Sequence, residues 1–305
     1  MPHKMHAVPR LLVTGSNGQV GFELRRSLAP LGEVIALDRA ACDLTKPDVL
    51  RQLVREYRPN VIVNPAAYTA VDKAEADSET AFAVNGAAVG VLAEEARALG
   101  SLLVHYSTDY VFDGTKDGAY VETDPVNPQS VYGKSKLAGE EAIAASGVAA
   151  LVLRTCWVAG AHGGNFAKTI LKLGRERDSL RVIADQFGAP TTAALIADVT
   201  AQIVARFWLS GDRVAFPGGL YHLAAAGETT WHGYATTVLR YAKGRGVELK
   251  VDPERIEAIP ATAYPLPAPR PANSRLNTSK LTETFGVHLP NWPQGVHLLL
   301  DQIFS

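Results

Sequence analysis

Along the first half of the chain, short apolar runs alternate with longer stretches whose apolar residues recur every three to four positions. This rhythm predicts strands at 8–13, 33–37, 60–64, 102–107 and 149–154, with helices at 19–31, 47–57, 78–99 and 131–145 between them. Runs such as Leu11-Leu12-Val13, Val61-Ile62-Val63 and Leu102-Leu103-Val104 leave no polar face. That is the signature of parallel strands covered by helices on both sides. Repeated βαβ units of this kind predict an α/β fold built on a Rossmann-type doubly wound parallel sheet. After about Arg154 the rhythm loosens, and Pro- and Gly-rich pieces fall at 185–190 and 260–271. The expected division is a dinucleotide-binding domain over 8–155, joined by returning segments near 178–200 and 218–230. A smaller mixed α/β substrate-binding domain is expected over most of 156–305.

Composition removes several function classes. With 305 residues, 47% of them hydrophobic, the chain has ample volume for a packed core. A formal net charge of −1 and the lack of a Lys/Arg cluster give no footprint for nucleic acid. A phosphate-bearing ligand must then be held by local geometry. Two cysteines, Cys42 and Cys156, cannot build a disulfide framework and point to a reduced, cytoplasmic setting. No run approaches the roughly 18 apolar residues of a membrane span. Residues 1–7 are left out of the predicted fold, because Met1–Arg10 lacks the apolar stretch and cleavage site of a signal peptide.

The first strand runs into Thr14-Gly15-Ser16-Asn17-Gly18-Gln19-Val20-Gly21. Gly15 permits the tight turn, Gly18 lets a pyrophosphate approach the backbone, and Gly21 lets helix and strand pack closely. The following helix aims its N–H groups and positive dipole end at the phosphates. Asp38 ends the second strand, where a carboxylate takes the adenosine ribose hydroxyls. Arg39 beside it suits a 2′-phosphate instead, so NADH and NADPH both stay open. Asp43-Leu44 lies where an adenine contact is expected, with a helix N-cap as the alternative for Asp43. Asn64 through Ala67, Tyr68 and Thr69 closes strand three and should pass the ribose and nicotinamide.

Tyr132 and Lys136 stand four apart on a predicted helix and so share a face. Reduction of a carbonyl needs a proton donor at its oxygen. A tyrosine serves if a neighbouring ammonium lowers its pKa from near 10. Lys136 can also hydrogen-bond the nicotinamide ribose. Upstream, His105-Tyr106-Ser107-Thr108-Asp109-Tyr110-Val111-Phe112 leaves a strand at the carboxyl end of the sheet, where doubly wound folds bind ligands. Thr108 is the candidate to hold the carbonyl oxygen beside Tyr132. Asn85 reads as either a buried hydrogen-bonding post or a helix-surface amide.

Taken together, Thr-Gly-x-x-Gly-x-x-Gly, Ser-Thr-Asp-Tyr-Val-Phe and Tyr-Gly-x-x-Lys resemble the extended short-chain dehydrogenases. Within them the chain is similar to the dTDP-4-dehydrorhamnose reductases, of RmlD type. Further stretches carry the likeness from Leu11 to Phe304: Thr69–Glu75, Arg154–Val158, Asn165–Thr169, Asp185–Thr191, Gly219–Leu223 and Arg270–Leu276. The resemblance implies reduction of dTDP-4-dehydro-β-L-rhamnose by NADPH or NADH, the last step in making the activated sugar. It implies a catalytic triad of Thr108, Tyr132 and Lys136. It places Gly15, Asn17, Gly18, Gln19, Val20, Gly21, Asp38, Asp43, Leu44, Ala67, Tyr68 and Thr69 around the cofactor. Val71, Thr108, Asp109 and Trp157 would face the dTDP-sugar, with Asn165 and Arg270 as diphosphate contacts. Trp157 offers an aromatic face to the deoxysugar or fills the core, and Asn165 and Arg270 read equally as structural residues.

One departure concerns metal. Some relatives dimerise around magnesium held by glutamates. Glu23 matches one such position, but the others are Ala194 and Gln302, so no metal site is expected and the chain is read as a monomer or homodimer. Two rival readings come with the superfamily. A 4,6-dehydratase places Asp-Glu after the threonine, where this chain has Asp109-Tyr110. An epimerase shares the tyrosine and lysine but holds NAD through its whole cycle. A third reading is a non-catalytic NADP-binding subunit like that of methionine adenosyltransferase, against which the intact Thr108, Tyr132 and Lys136 argue.

Overall fold

The computed structural model describes residues 8–305; segment 1–7, left out of the predicted fold above, lies outside the described residues. Strands β1 (Arg10–Val13), β2 (Glu33–Ala36), β3 (Val61–Asn64), β4 (Leu102–Thr108) and β5 (Ala150–Thr155) are joined by a sixth, Gly219–His222. All pair in parallel, in the order Gly219–His222, β5, β4, β3, β1, β2. The chain reverses its direction of growth between β1 and β3, which puts a ligand crevice outside their carboxyl ends. The predicted parallel α/β sheet is therefore present.

Alternation along the strands divides the apolar residues between two layers. Leu11, Val13, Val63 and Val104 pack with α1 (Gln19–Leu28) beneath one face, while Leu12, Ile62 and Leu103 pack with α2 (Pro47–Tyr57) beneath the other. In chain order there follow α3 (Val71–Ala74), α4 (Ser78–Phe82), α5 (Ala88–Leu99), α6 (Val131–Ser146), α7 (Phe166–Glu176), α8 (Ala193–Ile203), α9 (Trp231–Gly244), α10 (Ser279–Phe285) and α11 (Trp292–Phe304). Ile196 and Ile203 of α8 and Phe285 of α10 join the layer under α1. Ile170, Leu180, Val182, Tyr234, Leu239, Trp292 and Leu299 form a separate core in the second half.

Two helices differ from their predicted spans. The helix expected over 19–31 stops at Leu28 and tightens into a 3-10 turn, Ala29–Leu31, because Pro30 has no N–H to continue the ladder. The helix expected over 78–99 is broken by a π-helical turn, Ala83–Ala87, between α4 and α5. Such turns carry one residue more per hydrogen-bonded ring, and this one holds Asn85 at the site.

Candidate active site

The loop after β1 closes as a nucleotide cradle. Gly15 has φ +54°, and a Cβ there would stand 2.9 Å from the backbone of Ala66; a Cβ at Gly21 would stand 2.2 Å from the Gly15 carbonyl oxygen. Gly18 begins α1 with no side-chain cap, which leaves the first-turn N–H groups at Gln19 and Val20 to an anion. Asn17 Nδ2 donates to Asp38 Oδ2 at 3.0 Å, and the N–H groups of Ala40 and Ala41 donate to Asp38 Oδ1. Three of the carboxylate's roughly four lone pairs are thus used, leaving one for a ribose hydroxyl. Asp43 accepts the N–H and O–H of Thr45 in a turn ahead of α2, whose N-cap is Lys46, and Leu44 is buried in the core. Ala67 and Tyr68 are half-buried, Thr69 is exposed, and Val71 opens α3.

Across the crevice, α6 starts at Ser130, whose Oγ accepts the Gly133 N–H. A Cβ at Gly133 would stand 2.3 Å from the Tyr110 carbonyl oxygen. Only glycine lets this turn press against the segment leaving β4, and that contact brings the half-buried Tyr132 to Thr108. The Thr108 hydroxyl lies near enough to the phenol to act on its pKa, and it donates to Asp109 Oδ1 at 3.1 Å. Burial pushes the Tyr132 phenol up to about 12, the Thr108 hydroxyl pulls it back, and Asp109 pushes it up again. Burial also raises Asp109 to about 6, against hydrogen bonds from Ser274 and Thr108.

Lys136 does not touch the phenol. Its Nζ donates to the Tyr106 carbonyl at 2.6 Å and lies 3.1 Å from His105 Nε2. Burial lowers its pKa to about 8, and Glu140 one turn later pushes it up. The predicted lowering of Tyr132 by a neighbouring ammonium is therefore absent from this structure: burial sets the phenol's shift, and the lysine's hydrogen bonds run to β4. Asn85 is the buried post. Its Oδ1 accepts the Tyr68 N–H at 2.8 Å, and its Nδ2 donates to the Tyr68 carbonyl at 3.1 Å and to Ser135 Oγ at 2.9 Å.

The residues expected to face the sugar lie farther apart. Trp157 takes a left-handed backbone, φ +48°, and stacks on Trp231 with ring centroids 3.7 Å apart. Gly188 packs so close that a Cβ there would stand 2.6 Å from the indole. Much of the aromatic surface expected to meet a sugar thus packs against protein. Asn165 caps α7 and donates to Gln19 Oε1 and the Gly160 carbonyl. Arg270 pairs with Asp72 Oδ2 at 2.8 Å and donates to the Ala268 carbonyl. Glu23 is held by Arg26.

Sequence reading overlooked His105, Trp231 and the pair Glu140–Arg154. Two signals for them exist: His105 and Ser107 are polar residues two apart on one face of an otherwise apolar strand, and Glu140 lies one turn beyond Lys136.

A crevice between β1 and β3, entered from one side by a glycine cradle and from the other by a tyrosine four residues ahead of a lysine, is the architecture of the extended short-chain reductases. More narrowly, the chain belongs to the family described as RmlD substrate binding domain, which matches residues 9–304. It is 49% identical over 296 residues to a dTDP-4-dehydrorhamnose reductase of Burkholderia thailandensis, covering 97% of this chain and 99% of that one. It is likewise 49% identical over 299 residues to the enzyme of that name from Salmonella typhimurium, covering 97% and 98%. The crystal structure of a Bacillus anthracis dTDP-4-dehydrorhamnose reductase in complex with NADP superposes with a TM-score of 0.87 at 30% identity, covering 97% of this chain and 99% of that one. Among the described residues no helix is long and apolar enough to cross a membrane.

Proposed function

We propose that the chain reduces dTDP-4-dehydro-β-L-rhamnose to dTDP-β-L-rhamnose with NADPH or NADH. The observation that carries this reading is the packing of the α6 start on the segment leaving β4, with Gly133 against the Tyr110 carbonyl and Tyr132 against the Tyr110 ring, which sets the phenol near Thr108 at the carboxyl end of the sheet. The names of the relatives support the substrate, and the tight glycine turn fits a dinucleotide, since side chains at Gly15 and Gly21 would collide with Ala66 and the Gly15 carbonyl and spread the loop. A bound reduced nicotinamide supplies the hydride for the sugar carbonyl carbon. Gly18, Gln19 and Val20 would hold the diphosphate and Asp38 a ribose hydroxyl, with Lys136 within the same hydrogen-bonded network as Thr14 of the cradle.

Tyr132 then protonates the sugar oxygen. A phenol raised to about 12 keeps its proton until charge develops on that oxygen, and an alkoxide is basic enough to take it. Thr108 orients the oxygen. Asp109 braces Thr108, and we assign Trp157, held in place by Trp231, to the edge of the sugar site. The division into a dinucleotide-binding unit over 8–155 and a sugar-binding unit over most of 156–305 belongs to the same proposal.

The test is direct. Purified chain, the keto-sugar nucleotide and either reduced dinucleotide should give dTDP-β-L-rhamnose, identified by NMR, with loss of reduced-nicotinamide absorbance. Oxidation of neither dinucleotide over a panel of keto-sugar nucleotides would falsify the assignment.

A further inference from the structure

A chain of polar side chains runs through the interior, from the cofactor cradle to α6. Thr14 Oγ1 donates to Asn64 Oδ1 at 2.6 Å, Asn64 Nδ2 lies 3.1 Å from His105 Nδ1, and His105 Nε2 lies 3.1 Å from Lys136 Nζ. Thr14, Asn64 and His105 are each 0% exposed and Lys136 is 1% exposed, so no step of this chain opens to bulk water. Asn64 and His105 are register partners on β3 and β4. Proton donation from Tyr132 does not itself call for a histidine here.

The hydrogen-bonding inventory allows two complete arrangements. Burial and the adjacent ammonium hold His105 well below the usual histidine range, so the ring is neutral, with one N–H and one bare nitrogen. An ammonium only donates. Opposite a charged Lys136, Nε2 must be bare and the ring proton must sit on Nδ1. Asn64 then turns its carbonyl oxygen to that N–H and its NH2 to the Thr14 oxygen. Opposite a neutral amine the order reverses: Nε2–H donates to Nζ, Asn64 Nδ2 donates to Nδ1, and Thr14 donates to Oδ1. Each of the three contacts sets a donor against an acceptor in both, because an amide keeps its shape when its O and N exchange. The arrangements differ by one proton, the lysine's; the imidazole keeps one proton throughout and moves it between its nitrogens.

We propose that Asn64 and His105 are positioning residues for Lys136, and that the Thr14–Asn64–His105 chain couples the charge of the lysine to the tautomer of the imidazole. Tyr106 anchors Nζ through its carbonyl while the imidazole supplies the partner that changes character. The surrounding elements carry Tyr106 on β4, Asp109 and Tyr110 after it, Tyr132, Lys134, Glu140 and Glu141 on α6, Arg154 on β5, Asp72, Lys73 and Glu75 in or beside α3, Glu79 on α4, and Glu94, Glu95 and Arg97 on α5. Of these Glu140 acts on Lys136, and Arg154 holds Glu140 in a bidentate pair at 2.9 and 2.6 Å; Glu79 is exposed. The role assigned to Lys136 in turnover rests on the reductase reading; the coupling itself does not.

The test is 15N NMR of the whole chain labelled at histidine ring nitrogens, with the His105 signals assigned by their loss in His105→Gln. His105 should stay neutral across the pH range. Its proton should sit on Nδ1 in mild acid and cross to Nε2 as Lys136 deprotonates near pH 8. Lys136→Met should abolish the crossing. In turnover, His105→Leu should move the Lys136 limb of the pH profile to lower pH by about one unit, since the charged form loses an acceptor. His105→Gln, whose amide oxygen accepts from Nζ, should restore most of it. A ring that titrates like an exposed histidine, a tautomer fixed across the lysine's titration, or a His105→Leu enzyme with the parent pH profile would each overturn the proposal. Tautomer crossing in a protein inactive on every keto-sugar nucleotide would sink the reductase reading alone. Full activity with a fixed tautomer would sink the coupling alone.

Discussion

On the dinucleotide side of the crevice the polar side chains are held by the sheet. Asn64 and His105 face each other because β3 and β4 are in register there, and Lys136 and Glu140 of α6 meet the sheet, Glu140 at Arg154 of β5, in a seam closed to water. On the side proposed for the sugar, the side chains hang from loops or caps tied to helix starts: Asn165 to Gln19 of α1 and the Gly160 carbonyl, Arg270 to Asp72 of α3, Trp157 to Trp231 of α9. A sheet register admits little adjustment, whereas a loop tie can break and re-form around a ligand. The comparison teaches that this molecule fixes the chemistry rigidly and leaves recognition to parts that can yield.

The largest expected effect tests the rigid side at its reacting atom. Tyr132→Phe removes the proton donor while keeping the ring against Tyr110, which it meets edge-on at 5.4 Å. Turnover should fall about 10²- to 10⁴-fold with dinucleotide affinity unchanged, measured by steady-state kinetics and calorimetric titration. Equal losses in both would place Tyr132 in cofactor binding instead.

Next comes the seam. Arg154 and Glu140 have side chains 3% and 9% exposed, and Arg154 Nη1 has no partner. Removing one member of a buried pair strands the other charge, so Glu140→Leu should cost about 3–5 kcal/mol of stability by denaturant unfolding. The double replacement Glu140→Leu with Arg154→Leu should cost less than Glu140→Leu alone. A double variant weaker than the single would show that the pair adds stability beyond satisfying itself.

Asp109 stands where the two sides meet, and it gives a pH signature. Its folded pKa of about 6 lies above the ordinary carboxylate value of 3.8, so between these the folded chain binds more protons than the unfolded one. The contribution of Asp109 to stability therefore falls as pH rises from about 4 to about 6, by up to about 3 kcal/mol. Asp109→Asn should flatten that slope and unfold at a higher temperature than the parent at neutral pH. An Asp109→Asn variant whose stability follows pH with the parent's slope through this window would contradict the raised carboxyl.

A smaller effect should appear at Trp231, which supports Trp157 from behind. Losing an aromatic stack worth about 0.5–1.5 kcal/mol predicts a KM for the sugar nucleotide raised roughly two- to tenfold in Trp231→Leu, with KM for the dinucleotide unmoved. A change confined to the dinucleotide would detach Trp231 from the sugar side.

The same contrast explains what could be read in the sequence. The sheet and its helices were legible because unbroken apolar runs and a period near 3.6 are local properties; α2 occupies its predicted span, Pro47–Tyr57. Thr108, Tyr132 and Asp38 were legible for a related reason, since strand ends and helix faces assign them to the crevice. The His105–Asn64 contact depends on which residue of β3 lies beside which residue of β4, and neither strand encodes that register alone. The π turn at Asn85 adds one residue to a ring and leaves the apolar pattern nearly unchanged. The Arg270–Asp72 pair joins positions 198 apart. No local pattern marks so distant a partner.

The smallest expected effect is the control for the seam. Arg26 bonds Glu23 Oε2 at 3.1 Å and Asp198 at 2.9 Å, tying α1 to α8 much as Arg154 ties β5 to α6. Its side chain is 60% exposed, so water screens the attraction and competes for the guanidinium. Glu23 is itself buried, so the control pairs Arg26→Ala with Glu23→Gln to leave no lone carboxylate; the pair should cost under about 1 kcal/mol, with loss of the effect at high salt and no change in turnover. Ser27 Oγ still donates to Asp198 at 2.6 Å, which keeps one polar tie between the helices. If Arg26→Ala with Glu23→Gln were to destabilise the protein as strongly as Glu140→Leu, charge pairing rather than burial would set the cost. The distinction between a sealed seam and adaptable ties would then fail at its physical root.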